Sequence, residues 1–327
     1  MNKITINDIA KMANVSKSTV SRYLNNGRVS EDTANKIKKI IEEFNYEPNI
    51  FAQSLKAKST KLIGIIAPRL DSIVTSRAIM SIDENLKKKG YNSLILNTSL
   101  DTNLEIEYLE MLLNLKVDGI ILLATQISEK HKTLIKKIPI PIIVIGQKCS
   151  DTVCIVNDDY GAGAKMGQHI KLKGHKKILY VGVDKQDRAI GVRRRNGVFD
   201  QFDKDCNYEI KEIISDFTTD TSERLVLETL RGYSPTVIIC ATDKIAVGAI
   251  RAIEKIDKIP FKDISVTGFG GYSIMKRVLT TIRYNSVKVG EVSVDTMIMM
   301  IEGSKVDKLQ VIDFDFIDGD SVEDINN

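Results

Sequence analysis

Residues 5–25, TINDIAKMANVSKSTVSRYLN, decide how this chain is read. They describe two short helices joined by a tight turn. Thr5 caps the first helix, and Asp8 three residues on completes a capping-box pattern. Ile6, Ile9, Ala10 and Ala13 supply one apolar stripe at helical spacing. Asn14 interrupts the run, because asparagine tolerates left-handed backbone angles better than most residues. Ser16 caps a second helix in which Val20 and Leu24 face inward, leaving Lys17, Ser18, Thr19, Ser21 and Arg22 to point outward. A short helix with hydrogen-bonding and cationic residues at its exposed N-terminal end suits the major groove of DNA. The spacing alone fits a solvated helical hairpin equally well.

Charge weighs on that choice. Residues 1–60 hold ten Lys/Arg and six Asp/Glu, so the whole net charge of +4 sits on them and the rest of the chain is balanced. A basic module on a neutral body is the electrostatic footprint of a nucleic-acid binder. Ser30 caps a third helix running to about residue 45, with Glu31 and Asp32 in its first turn and lysines later, as the helix dipole prefers. Ile37, Ile40, Ile41 and Phe44 give it a core-facing stripe. Residues 49–55 have the length of two helical turns, too short to be helical alone in water.

Ile9-Ala10, Val15-Ser16, Ser18-Thr19-Val20-Ser21-Arg22 and Leu24-Asn25 together resemble the helix-turn-helix signature of the lactose-repressor (LacI/GalR) family. The likeness continues through Val29-Ser30-Glu31, Tyr46-Glu47-Pro48-Asn49 and Ala52-Gln53-Ser54-Leu55. It implies a transcriptional repressor that contacts double-stranded operator DNA through Thr5, Ser16, Lys17, Ser18, Thr19, Ser21, Arg22 and Asn25. It further implies a hinge helix carrying Asn49, Ala52 and Leu55, in which Leu55 is the apolar wedge that kinks the minor groove. One such headpiece reads one half-site, so a homodimer on a pseudopalindrome is expected. The dimer surface is expected on the helix of residues 73–89, with Ile79, Met80 and Ile82. The acidic C-terminal tail has no leucine heptads, so no tetramerising coiled coil is expected.

The remaining 267 residues are too long for one small domain. A composition 43% apolar and 28% charged is ordinary for a soluble protein. No apolar run approaches the roughly 20 residues of a membrane span, and MNKITINDIA has no signal-peptide core, so a cytoplasmic protein without a membrane partner is expected. Four cysteines lack CxxC spacing and three histidines lie far apart, which supports neither a disulfide frame, a metal site, a cofactor nor a catalytic centre.

From residue 62 the pattern alternates apolar strand-like runs (62–67, 93–96, 119–123, 142–145, then 154–156, 177–181, 210–214, 237–241, 265–269) with amphipathic helices. That is an α/β class chain with two doubly wound parallel-sheet subdomains and a cleft at the carboxyl ends of the strands. The family resemblance implies a periplasmic-binding-protein-like body whose chain crosses between subdomains three times, near 156–158, 284–286 and 304–307. The expected organisation is a headpiece at 1–48, a hinge helix and linker at 49–61, a first subdomain of 62–156 plus 286–304, and a second of 157–285 plus 305–327.

Four strand-end loops face that cleft. Arg69, Asp71 and Ser72 follow the first strand; a cation gains nothing at a helix N-terminus, so Arg69 suggests a ligand contact. The loop resembles that of trehalose repressors, which also carry Arg-Leu-Asp-Ser. Arg193, Arg194 and Arg195 cannot share one helix face, since neighbours lie about 100° apart; the resemblance implies that Arg194 grips a sugar, with Arg193 beside it. Thr242 and Asp243 match a pair that binds ligand hydroxyls, and Gln147 and the Asn157-Asp158-Asp159 group lie near the first crossover, where they touch ligand or cap the helix beginning at Tyr160. Gly270 departs from the many relatives that carry an acid there. Glycine in place of an acid, together with the arginines, points to a phosphorylated disaccharide, trehalose 6-phosphate first and sucrose 6-phosphate second. The alternatives are a global catabolite regulator with a phosphoprotein co-repressor, a sugar-converting enzyme and a transport-type sugar-binding protein.

Overall fold

The structure, a computed structural model, describes residues 4–24, 27–44, 46, 59–202, 207–271 and 278–326. The chain divides into two compact units, residues 1–60 and 61–327.

The described residues of the first unit form three helices, α1 (Ile6–Met12), α2 (Lys17–Leu24) and α3 (Glu31–Glu43). Thr5 donates to Asp8 Oδ2 from both its amide, at 3.0 Å, and its hydroxyl, at 2.6 Å. Asn14 turns the chain at φ 52°, and the Val15 amide returns to the Ala10 carbonyl. Ser16 Oγ accepts from the Thr19 amide at 3.2 Å, which sets the start of α2. Ile9, Val20 and Ile37 are fully buried, one from each helix, with Ala10 and Ala13 filling the gap between them. Phe44 does not join the stripe expected of it. The helix stops at Glu43, and Phe44, at φ −100°, is left 46% exposed.

The second unit holds two six-stranded sheets. The first is ordered β11-β5-β4-β3-β1-β2, from β1 (Leu62–Ala67), β2 (Asn92–Asn97), β3 (Gly119–Leu123), β4 (Ile142–Ile145), β5 (Val153–Asn157) and β11 (Leu309–Ile312). The second is ordered β12-β10-β9-β8-β6-β7, from β6 (Lys177–Gly182), β7 (Glu209–Ile214), β8 (Val237–Cys240), β9 (Ser265–Phe269), β10 (Thr280–Tyr284) and β12 (Phe314–Ile317). All pairings are parallel except β12, which runs antiparallel to β10 at the sheet edge. Helices cover both faces, so the central strands LIGIIA, GIILL and IIVI are apolar throughout rather than alternating. Around the first sheet lie α4 (Ile73–Lys88), α5 (Thr102–Asn114), α6 (Glu129–Ile135) and α11 (Ser286–Ile301). The second carries α7 (Asp159–Leu172), a π-helical turn Arg188–Arg194 running into α8 (Arg195–Phe199), α9 (Thr219–Leu230) and α10 (Asp243–Glu254).

The chain passes between the sheets at Asp158, at Asn285 and at Asp313. The third passage corrects the boundary expected near 304–307. Leu309–Ile312 pairs in parallel with β5, so the first subdomain keeps the chain to Ile312 before Phe314 turns into the second sheet. Of the three α4 residues expected at a dimer surface, two are taken up by packing within the subdomain. Ile79 and Ile82 belong to the subdomain's own core, whereas Met80 stands 61% exposed.

Candidate functional site

Strand ends of both sheets meet at a cavity of ≈ 430 Å³. From the first subdomain come Arg69, Asp71 and Ser72 after β1, Gln147 after β4 and Asn157 at the end of β5. From the second come Asp159, Asp187, Arg194, Phe217, Thr242, Asp243, Lys244, Phe269, Gly270 and Tyr284.

Arg194 makes the floor. Its Nε and Nη2 donate to Asp159 Oδ1 at 3.1 and 2.6 Å, and its Nη1 donates to the Ala241 carbonyl at 2.6 Å. The guanidinium lies over the rings of Phe269 and Tyr284, 4.8 and 5.0 Å from their centroids. Tyr284 Oη adds a third donor to Asp159 Oδ1 at 3.0 Å. A buried charge is tolerated because it is paired and hydrogen-bonded. The neighbouring arginines turn elsewhere. Arg195 grips both carboxylate oxygens of Glu212 at 2.7 Å, and Arg193 is not among the residues lining the cavity, contrary to its expected place beside Arg194.

The mouth is built differently. The Arg69 guanidinium stacks on Phe217 of the other subdomain at 4.1 Å, and its Nε lies 3.8 Å from Asp71. Lys244, also from the other subdomain, donates to Asp71 at 2.6 Å. That hydrogen bond is the main reason the Asp71 carboxyl is held below its ordinary range, with Arg69 assisting. Burial lowers the Arg69 guanidinium, against the pull of Asp71, Asp187 and Asp216. Ser72 caps α4 through the Thr75 amide, and Thr242 caps α10 through the Ile245 amide.

Gly270 supplies space rather than a side chain. Its φ is +151°, and a Cβ there would stand 2.9 Å from Asp243 Oδ2, while one at Gly268 would collide with Asp243 Oδ1. The two glycines make room for the buried Asp243 carboxylate, which accepts from Thr281 Oγ1 at 2.7 Å. Asp243, expected at the cleft beside Thr242, thus occupies the space that the two glycines leave.

On the headpiece, Ser16, Lys17, Ser18 and Arg22 are exposed on or before α2, and Thr19 and Ser21 are half-buried beside them. Thr5 is exposed at the start of α1. Asn25, Asn49, Ala52 and Leu55 lie outside the described residues.

Residues 5–49 match the family of bacterial regulatory proteins of the lacI type, and residues 60–318 match the periplasmic binding proteins and sugar binding domain of the LacI family. The chain belongs to the LacI family. This LacI-family chain is 38% identical to the sucrose operon repressor of Staphylococcus xylosus over 312 residues, covering 94% of itself and 97% of that protein. It is 27% identical to catabolite control protein A of the same organism, covering 94% and 96%. Its fold superposes on the lac repressor dimer bound to operator and the anti-inducer ONPF with a TM-score of 0.86 at 23% identity, covering 98% and 100%. The LacI-family chain is thus a DNA-binding transcriptional regulator, and its relatives are repressors rather than enzymes. Among the described residues no helix is long and apolar enough to cross a membrane.

Five of the polar and aromatic cavity residues named above were not singled out from the sequence: Asp187, Phe217, Lys244, Phe269 and Tyr284. Asn157 and Asp159, which both line the cavity, belong to the Asn157-Asp158-Asp159 group expected near the first crossover. Lys244 follows the Thr242-Asp243 pair, so reading one residue further would have found it.

Proposed function

We propose that this LacI-family regulator represses a sugar-utilisation operon of the sucrose type, binding a pseudopalindromic operator as a homodimer, and that a disaccharide in the cavity releases it. The effector contacts are Arg69, Asp71, Gln147, Arg194, Thr242 and Asp243, with Ser72 and Gly270 shaping the walls. Lys17, Ser18 and Arg22 read the major groove, and Leu55 deforms the minor groove. Such a regulator works in the cytoplasm, where its operator is.

The observation carrying the effector class is the charge balance of the cavity. Arg194 faces Asp159, and Arg69 and Lys244 share Asp71, while Asp187 and Asp243 add two further carboxylates. Each cation already has a carboxylate, so a phosphate would have to displace Asp71 from the mouth. A neutral polyol instead finds acceptors, donors and aromatic faces together, in a volume of the size typical for small-molecule sites. The kinship to a sucrose operon repressor supports the same class. Closure around the sugar couples to DNA only if the sugar prefers one cleft state.

Calorimetric titration with sucrose, trehalose and their 6-phosphates tests this, paired with anisotropy on a duplex selected by the protein from random sequence. A free disaccharide that binds and weakens the duplex complex is the expected result. Binding of the phosphates alone would overturn the charge argument and leave the repressor standing. No selected duplex at all would overturn the repressor.

A further inference from the structure

Asp187 ends the loop after β6 and caps the π-helical turn that carries Arg194. Its Oδ1 accepts from the amides of Ala189, at 3.1 Å, and Ile190, at 2.9 Å. Its second oxygen takes no hydrogen bond from any described residue, and the side chain lies on the cavity wall. The other cavity acids differ. Asp71 already holds Lys244, Asp159 holds Arg194 and Tyr284, and Asp243 holds Thr281. Asp187 is therefore fixed in place by backbone through one oxygen while the other has no donor among the described residues.

We propose that Asp187 is the acceptor for an effector hydroxyl and that its protonation sets the pH range over which the effector binds. This rests on the cavity being a sugar site. Desolvation pushes the carboxyl up to about 6, outweighing the Ile190 amide, the Arg194 charge and the Ala189 amide. Asp159, from α7, adds to the push. Arg69, from the first subdomain, interacts with the same carboxylate. A hydroxyl donated to the open oxygen favours the ionised form. Binding therefore releases a proton, and affinity falls as pH drops below about 6.

Asp187→Asn keeps an oxygen for the two amides and replaces the open acceptor with an NH₂ donor. A residue that only capped the turn would tolerate that change without altering ligand binding. Titrating sucrose into parent and variant by calorimetry from pH 5 to pH 8 separates the roles. In the parent, affinity is expected to hold above pH 7 and to fall about tenfold by pH 5. In the variant it is expected to be roughly ten- to a hundredfold weaker at pH 7.5, as for a lost charged hydrogen bond, with no pH dependence across the range. A variant with the parent's affinity and pH profile overturns the proposal. If sucrose fails to bind the parent at any pH, the sugar assignment falls, and the carboxyl is then read without ligand. Carbon NMR of aspartate-labelled protein must show a carboxyl titrating near pH 6 that is missing from Asp187→Asn, and its absence overturns the proposal.

Discussion

Arg194 and Arg69 reach one cavity from opposite subdomains, and the protein treats them in opposite ways. The Arg194 side chain is 5% exposed, spends its donors on Asp159 and the Ala241 carbonyl, and is walled by two rings. The Arg69 side chain is 19% exposed, rests on one ring, and has its nearest carboxylate at 3.8 Å, already claimed by Lys244. One arginine is architecture with donors left over for a ligand. The other belongs to a pairing between subdomains that a ligand can compete with. Position sharpens the contrast. Asp159 directly follows the passage at Asp158, and Tyr284 directly precedes the one at Asn285, so the floor is fastened to two of the three places where the subdomains join.

The largest effect should come from breaking the floor. Arg194→Ala leaves Asp159 buried beside Tyr284 with its charge uncompensated, a change that typically costs about 3–5 kcal/mol. Urea unfolding followed by circular dichroism measures it. A loss as small as that of a surface pair would mean that Arg194 and Arg69 are energetically alike and that the contrast is only geometric. Tyr284→Phe is gentler. It removes one of three donors from Asp159 Oδ1 and keeps the ring against Arg194, so about 1 kcal/mol is expected. A Tyr284→Phe loss equal to that of Arg194→Ala would show that the hydroxyl, not the guanidinium, holds the floor.

The two arginines were not equally legible in the sequence. Both sit after strands that declare themselves, since LIGIIA and KILYVG are apolar runs of strand length. What surrounds them was not. Asp159 and Tyr284 are 125 positions apart, and only the passages between sheets bring them together. Tyr284 ends the strand TTIRY, whose polar residues hide it from an apolar-run criterion. β11 and β12 are four residues each, partly polar, and defined by the strand they pair with, which is why the third passage was placed too early. α11, SVKVGEVSVDTMIMMI, is rich in β-branched residues that do not announce a helix, and packing on α4 makes it one. In the headpiece, local signals sufficed, because caps and turns act within three or four residues: Thr5 with Asp8, Ser16 with Thr19, and Asn14 at the turn. Phe44 failed by the same logic, since helical spacing cannot see that the helix has already ended.

The smallest effect belongs to the mouth. Asp71 and Lys244 are 59% and 43% exposed, so their bridge should contribute well under about 1 kcal/mol and fade in molar salt. Its sign with pH follows from the direction of the Asp71 shift. The folded carboxyl lies below its ordinary value, so the stabilisation is complete above that ordinary value and is lost as pH falls through the folded one. Thermal unfolding of parent and Lys244→Met should therefore differ slightly at pH 7 and converge at strongly acid pH. Asp187 runs the other way. Its carboxyl is raised to about 6, so relative to Asp187→Asn the parent loses stability as pH climbs from the ordinary carboxylate range through 6. Two acids on one cavity wall thus predict opposite slopes in separate pH windows. A Lys244→Met effect that persists unchanged in molar salt would place the mouth with the floor and remove the distinction between a paired charge that builds the site and one that a ligand can displace.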